Sequence, residues 1–380
     1  MFLVTFWGSG GWNKMQIALT KKLADAAKLD LPPIHKVVNP LFSWTANWTN
    51  VWGNRKREEM LVLVNNATRF TVAIYQVRRP KLKDIEEIIE AAIPNTLLSM
   101  NLNPELVNKY MELAGGIEFI KNHSRQAAAW VTRSGLESAF YVGREYDNID
   151  KMFDDTVGIP VNYQIVDCSG KDKKGFYPYE AMIKALVELT EKQAYKYRAF
   201  ELLISLDLNI YKATRRIIVP ANIKLTKLHK VLQSVFNWKG YHLYDFIVYN
   251  GDERKPVFRI VPFEEDLEYD EDAVLMENHT LDEFLPEYQP MFYTYDMGDN
   301  WEHEIKFIRE IEEYSEESPY LLEVEGQTPP EDVGGVGGYI DFFRILSDPC
   351  HPEYKEMKDW AGYWSLDPDD WGRESGIIRV

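Results

Sequence analysis

Apolar and polar positions alternate most cleanly between residues 292 and 308. Residues 292–297 are aromatic and β-prone. Over 301–308, Trp301, His303, Ile305 and Phe307 fall on one side, and Glu302, Glu304 and Lys306 on the other. Gly298-Asp299-Asn300 between the two runs is tight-turn chemistry, because these residues tolerate positive φ or cap their own backbone. The pattern predicts a β-hairpin whose apolar inner face carries His303 beside Trp301. A third strand is predicted over 320–325. The loop Pro329-Pro330-Glu331-Asp332-Val333-Gly334-Gly335 follows, and then a helix that starts near Gly338-Tyr339 and stops before Pro349.

The preceding stretch predicts β-rich runs at 200–208 and 210–219, then an amphipathic helix over 225–238. Leu228, Val231, Leu232 and Val235 of that helix face inward, and Thr226 or Asn222 is its cap. Another strand is expected over 241–249. Hairpin, crossing helix and strand is the opening order of a β-grasp (ubiquitin-like) sheet.

Nearer the N-terminus, an opening strand precedes a helix over 14–27. Trp44, Trp48 and Trp52 stand four apart, on one face of a predicted helix, as a core seam or a stacking platform. Strands are predicted at 60–65 and 70–77, joined by a turn at 66–69, and helices at 81–92, within 122–142 and at 179–195. The fold class is α+β with two domains. Residues 1–145 form a small α+β domain, 146–195 a connector and linking helix, and 196–380 a second domain with a mixed sheet and packed helices.

Composition narrows the setting. At 380 residues, 45% hydrophobic and 13% aromatic, the chain can bury a core in each domain. Two cysteines, Cys168 and Cys350, make neither a disulfide framework nor a zinc cluster and suit a reducing compartment. The start MFLVTFWGSGGW has no basic n-region, and no run reaches membrane-spanning length, so the expected location is the cytoplasm without membrane association. The net charge of −17 is uneven, at +4 over residues 1–200 and −21 over 201–380. An acidic second domain repels phosphates, which disfavours direct nucleic-acid binding and suits a basic protein partner or a metal ion.

The candidate chemistry lies in carboxylates and histidines. Asp296, Asp299, His303, Glu331, Asp332, Asp348 and His351, with His242 further back, are donors of the type that hold Mn²⁺, Fe²⁺ or Zn²⁺ for hydrolysis. No HExxH or CxxC spacing groups them, so a site would depend on tertiary contacts. The alternative roles are structural. His303 would be a hydrogen-bonded core-edge histidine, and Asp348-Pro-Cys-His351-Pro a helix stop with Pro352 in the next first turn. Glu331 and Asp332 would satisfy the free N–H groups at the start of the following helix. No resident cofactor is expected beyond a possible divalent metal.

Several ordered motifs, YDMGDNWEHEI, PPEDVGG-GGY, DPCHPEY and WxGYWSLDPDDW, together with RRIIVPANIKLTKLHKVLQSVFNWKGYHLYDF, resemble the plasmid pRiA4b Orf-3-like family over about residues 196–371. The resemblance marks Tyr295, Asp296, Gly298, Asp299, Trp301, His303, Pro330, Glu331, Asp332, Gly334, Gly335, Asp348, His351 and Trp360 as family positions. It implies an α+β domain and a prokaryotic, mobile-element context, and it carries no activity. Tyr244 stands where the family commonly has His, which weighs against a histidine pair with His242. TKKL, LVLVNNATRF and NHSRQAAAW resemble a small prokaryotic domain of unknown function, with Asn65, Asn66, Thr68 and Arg125 as its signature positions; turn capping is their structural role. Two functions are expected in turn. A non-enzymatic protein-binding or accessory module leads, and a metal-dependent hydrolase or nuclease using Asp296, Asp299, His303 and His351 is the alternative.

Overall fold

Met15–Leu19 (β1) is five buried residues, apolar but for Gln16, as a strand with neighbours on both sides requires. It pairs in parallel with Ser43–Asn50 (β2) and with Ile117–Lys121 (β5). In the computed structural model, which describes residues 14–33, 39–51, 59–142, 155–166, 175–251, 255–268, 273–363 and 375–380, the chain divides into two compact units, Met1–Lys196 and Tyr197–Val380. The first unit carries a five-stranded sheet in the order β4-β3-β2-β1-β5, with Glu59–Asn65 as β3 and Thr71–Ile74 as β4.

The helix expected over 14–27 is instead β1 followed by the short helix α1, Lys21–Ala27. The Thr20 side chain accepts the Leu23 N–H and caps the helix start. The tryptophan run is likewise a strand. A spacing of four is even, so it places Trp44 and Trp48 on one side of a strand just as it would on one face of a helix. Their indole N–H groups donate to Tyr110 Oη at 3.2 Å and to the Val77 carbonyl at 2.8 Å, which makes both core residues. Trp52 and the opening strand before residue 14 lie outside the described residues.

Asn65 Oδ1 accepts the backbone N–H groups of Ala67 and Thr68, and its amide donates to the Leu41 carbonyl at 2.9 Å. Asn66 bonds Thr45 and Ser43, so these signature positions close a turn over the sheet end. Arg125 is exposed at the start of α4 (Arg125–Tyr141), behind the Ser124 cap. Ile85–Ser99 (α2), Pro104–Ala114 (α3), Asp155–Asn162 (α5) and Pro178–Thr190 (α6) complete the unit; α4 packs on β2, β3 and α5, and α6 on α3. Part of the expected connector, residues 146–154 and 167–174, lies outside the described residues.

The second unit opens with the hairpin Tyr197–Asp207 (β6) and Lys212–Pro220 (β7), then Leu225–Val235 (α7) and Tyr244–Val248 (β8). Phe258–Val261 (β9), Ala273–Leu275 (β10), Met291–Tyr295 (β11), Trp301–Tyr314 (β12), Tyr320–Glu325 (β13), Gly335–Ser347 (α8), Tyr354–Tyr363 (α9) and Gly376–Ile377 (β14) come next. They form a nine-stranded sheet in the order β10-β9-β8-β11-β12-β6-β7-β13-β14, antiparallel except where β10 meets β9. The expected hairpin is present, with Tyr293 opposite His303 and Tyr295 opposite Trp301. Neither Thr226 nor Asn222 caps α7. Its cap position is Lys224, which bridges to Thr280, and the Leu225 N–H donates to the His279 carbonyl. Among the described residues, no helix is long and apolar enough to cross a membrane.

Two buried polar devices organise the inner face. Arg215, 1% exposed, donates from Nε to the Val235 carbonyl at 2.7 Å, at the C-terminal end of α7. Its Nη atoms reach the carbonyls of Thr214, Glu325 and Gly326 and the Thr328 hydroxyl, and its charge lies over the Phe236 ring. Gly326, at φ 74°, lies where a Cβ would come within 2.9 Å of the Lys212 carbonyl, so the backbone can turn there only without a side chain. The second device is a set of buried histidines. His303, fully buried, has Nδ1 3.1 Å from the Tyr293 carbonyl and accepts the Trp238 indole N–H at Nε2, so its proton sits on Nδ1. His229 stacks on Tyr244 and bonds Tyr293 Oη at 2.8 Å. Burial pushes His303 down to about 4 and His229 to about 3, so both are neutral in the folded chain.

Replacing Arg215 by Met removes five hydrogen bonds, two of them to buried carbonyls. It should lower stability by about 3–5 kcal/mol, read as a lower urea midpoint of the full chain. The two histidines also set a pH dependence. Unfolded imidazoles take up protons near 6.5 while the folded ones resist, so stability is full above about pH 6.5 and falls as pH drops through about 4. His303 alone should account for a loss on the order of 3 kcal/mol. Urea midpoints at pH 7 and pH 5 should differ clearly in the wild type and less in His303→Gln.

Candidate functional site

Three connections meet at one end of the second sheet: residues 239–243 between α7 and β8, the β11–β12 turn at 296–300, and the loop 326–334 that Arg215 ties down at its start. Asp296 and Asp332 both take the left-handed backbone region, at φ 60° and 57°, which is uncommon for residues with a side chain. Asp296 holds its turn shut, with Oδ1 accepting the N–H groups of Gly298 (2.9 Å) and Asp299 (3.3 Å). Its own N–H donates to the Leu243 carbonyl, which joins this turn to the 239–243 segment.

Glu331 is 3% exposed. Its Oε1 accepts the Lys239 N–H at 2.6 Å, and the Tyr295 hydroxyl lies 3.2 and 3.3 Å from its two oxygens. Tyr295 Oη in turn accepts the Tyr241 N–H. Burial raises the Glu331 carboxyl above the usual range, opposed by these hydrogen bonds, and raises the Tyr295 phenol as well.

His242 stands among these carboxylates with its side chain about a quarter exposed. Nδ1 is 3.6 Å from Asp296 Oδ2; Nε2 is 3.4 Å from Glu331 Oε2 and 3.3 Å from Asp332 Oδ1. None of these contacts is aligned as a hydrogen bond, and the buried Nε2 has no hydrogen-bond partner among the described residues. Ligand atoms of His242, Asp296 and Asp332 all lie within 4.8 Å of one another. One imidazole nitrogen with carboxylate oxygens is a donor set for Zn²⁺, Mn²⁺ or Fe²⁺.

Of the residues singled out by sequence, Asp296, Glu331 and Asp332 come together around His242, while the others serve elsewhere. Asp299 Oδ2 accepts the Gly334 N–H at the start of α8, so Asp299 takes the capping role expected of Glu331 and Asp332. A Cβ on Gly335 would lie 2.6 Å from the Asp299 carbonyl, which is why the loop can close on that turn. His303 belongs to the core. Asp348 Oδ1 accepts the Cys350 N–H and His351 Nδ1 accepts the Glu353 N–H, a stop after α8 and a lead into α9, which begins at Tyr354, beyond Pro352. Trp360 packs edge-on against Phe342, and Trp301 stacks on Trp238. His242, named among the possible donors but not in the expected hydrolase set, is the centre. Its signal was a polar residue in the Gly240-containing break between helix and strand. Tyr244 stacks on His229, so no histidine pair forms at that position.

Comparison with known proteins agrees with both resemblances. Residues 198–374 match the family described as plasmid pRiA4b ORF-3-like protein, and residues 16–181 match a domain of unknown function, DUF6933. The chain is 39% identical over 150 residues to the uncharacterized protein y4hQ of Sinorhizobium fredii, an alignment spanning 39% of this chain and 73% of that protein. The crystal structure of a protein of unknown function, MM3350 from Methanosarcina mazei Go1, aligns at 26% identity with a TM-score of 0.40, covering 49% of this chain and 97% of that one. With its motifs, its matched span and a relative covered over most of its length, the chain belongs to the plasmid pRiA4b ORF-3-like family.

Proposed function

We propose that the second unit holds a divalent transition metal through His242, Asp296 and Asp332 and acts as a metal-dependent hydrolase. The observation that carries this reading is the grouping of three ligand atoms within 4.8 Å on turns that are themselves rigidly closed. Bonds of about 2.1 Å place neighbouring tetrahedral ligands roughly 3.4 Å apart, close to the 3.6 Å between His242 Nδ1 and Asp296 Oδ2. Three protein ligands leave a position for water, whose ionisation a metal brings near neutral pH. The ligand set replaces the one that includes Asp299, His303 and His351, since those side chains are occupied elsewhere.

A non-enzymatic module that binds a basic protein partner is the second reading, favoured by the −21 charge of residues 201–380. The order β6–β7–α7–β8 supports a β-grasp-like description of the unit, and the two-cysteine composition suits the cytoplasm.

Protein purified without chelator should carry metal, and added Zn²⁺ or Mn²⁺ should raise Tm. A ligand at a hundred times its Kd stabilises by about 2.7 kcal/mol. His242→Ala should abolish the rise, whereas His303→Ala should lower the starting Tm and keep it. Failure to bind any of Zn²⁺, Mn²⁺ or Mg²⁺, or a rise that survives His242→Ala, would remove this reading and leave the protein-binding module.

A further inference from the structure

Resting on the proposed metal site, we infer that Glu331 is its positioning residue, setting His242 so that Nδ1 faces the metal and Nε2 carries the proton. Glu331 lies outside the group whose ligand atoms share a 4.8 Å space, yet its Oε2 is 3.4 Å from His242 Nε2. The carboxylate is almost completely buried and already fixed, Oε1 by the Lys239 N–H and both oxygens by the Tyr295 hydroxyl. It therefore makes a rigid acceptor with one direction left open, and that direction is the imidazole. His242 supplies the matching feature, a buried Nε2 without a hydrogen-bond partner among the described residues. With the ring turned onto this acceptor, an Nε2–H would point at Oε2, 3.4 Å away. Nδ1 then stays on the side of Asp296.

A histidine that binds metal through one nitrogen needs the other held by an acceptor, because the tautomer and the ring plane decide whether the lone pair points at the ion. Asp332 Oδ1 is as near to Nε2, at 3.3 Å, but its side chain is more than half exposed, so it is free to turn towards a metal where Glu331 is not. The two neighbouring carboxylates thus divide the work, the exposed one as ligand and the buried one as support.

The test is long-range ¹H–¹⁵N correlation of the Zn²⁺-loaded full chain labelled at histidine. His242 is assigned by the signals missing from His242→Gln. The expected pattern is ligation through Nδ1 with the proton on Nε2. Glu331→Ala should weaken Zn²⁺ binding about 10- to 100-fold and mix the tautomers, while Glu331→Gln, which keeps an acceptor oxygen, should restore part of both. Ligation through Nε2 in the wild type overturns the assignment, and this result does not depend on any variant folding. So does a Glu331→Ala protein matching the wild type in tautomer and affinity. A wild type that binds no Zn²⁺ at all overturns the metal site together with this inference, an outcome separable from the other two, in which the ion is bound.

Discussion

Arg215 is the constraint on which the second unit turns. A guanidinium buried with no carboxylate partner among the described residues has to be met by dipoles, and here these include the C-terminal carbonyl of α7, two carbonyls at the end of β13 and the Thr328 hydroxyl. Each acceptor belongs to a segment that would otherwise end loosely. One charge therefore joins the end of a helix, the end of a strand and the start of the loop that carries Glu331 and Asp332. Burial lowers its pKa to about 10, still far above neutrality, so the charge stays in place. Residues 326–334 leave that anchor already aimed back across the sheet.

The loop beyond that anchor, and the turn it closes on, depend on backbone positions that few residues adopt. Asp296 and Asp332 are left-handed, and Gly335 lies against the Asp299 carbonyl, where a side chain has no room. Such conformations cost on the order of 1–3 kcal/mol each, and the surrounding hydrogen bonds hold them: Gly298 and Asp299 N–H groups on Asp296, and the Gly334 N–H on Asp299. The family motifs around YDMGDNW and PPEDVGG are thus the requirements of two turns that interlock. Their carboxylates gather around His242 because of that closure.

Much of this was legible in sequence. The alternation from Trp301 to Phe307 predicts the buried face of β12 because side chains of a strand alternate whatever its neighbours do. The inward residues of α7 were readable for the same reason, by helical period. The errors are equally physical. A spacing of four in the tryptophan run satisfies both periods, and only the pairing of β2 with β1 and β3 decides for a strand. Thr226 and Asn222 are good caps by type, but backbone from residue 279 already satisfies the helix start. For His303 the structural role expected from the alternation holds, and the metal-ligand role does not, because its two ring nitrogens are taken by Trp238 and Tyr293.

The sequence by itself determined the α+β composition, the hairpin, the amphipathic helix, the family and the residue types from which a site could be made. These are local properties, set by period, turn chemistry and motif. Tertiary structure alone decided which of the histidines meets the carboxylates. His242 is 54 residues from Asp296 and about 90 from Asp332, and no local rule relates positions so far apart. Their meeting depends on the strand order β8-β11-β12 and on a loop returned across the sheet from the far side of β7. Burial made the same division between neighbours, fixing Glu331 inside and leaving Asp332 at the surface, although the chain places them side by side.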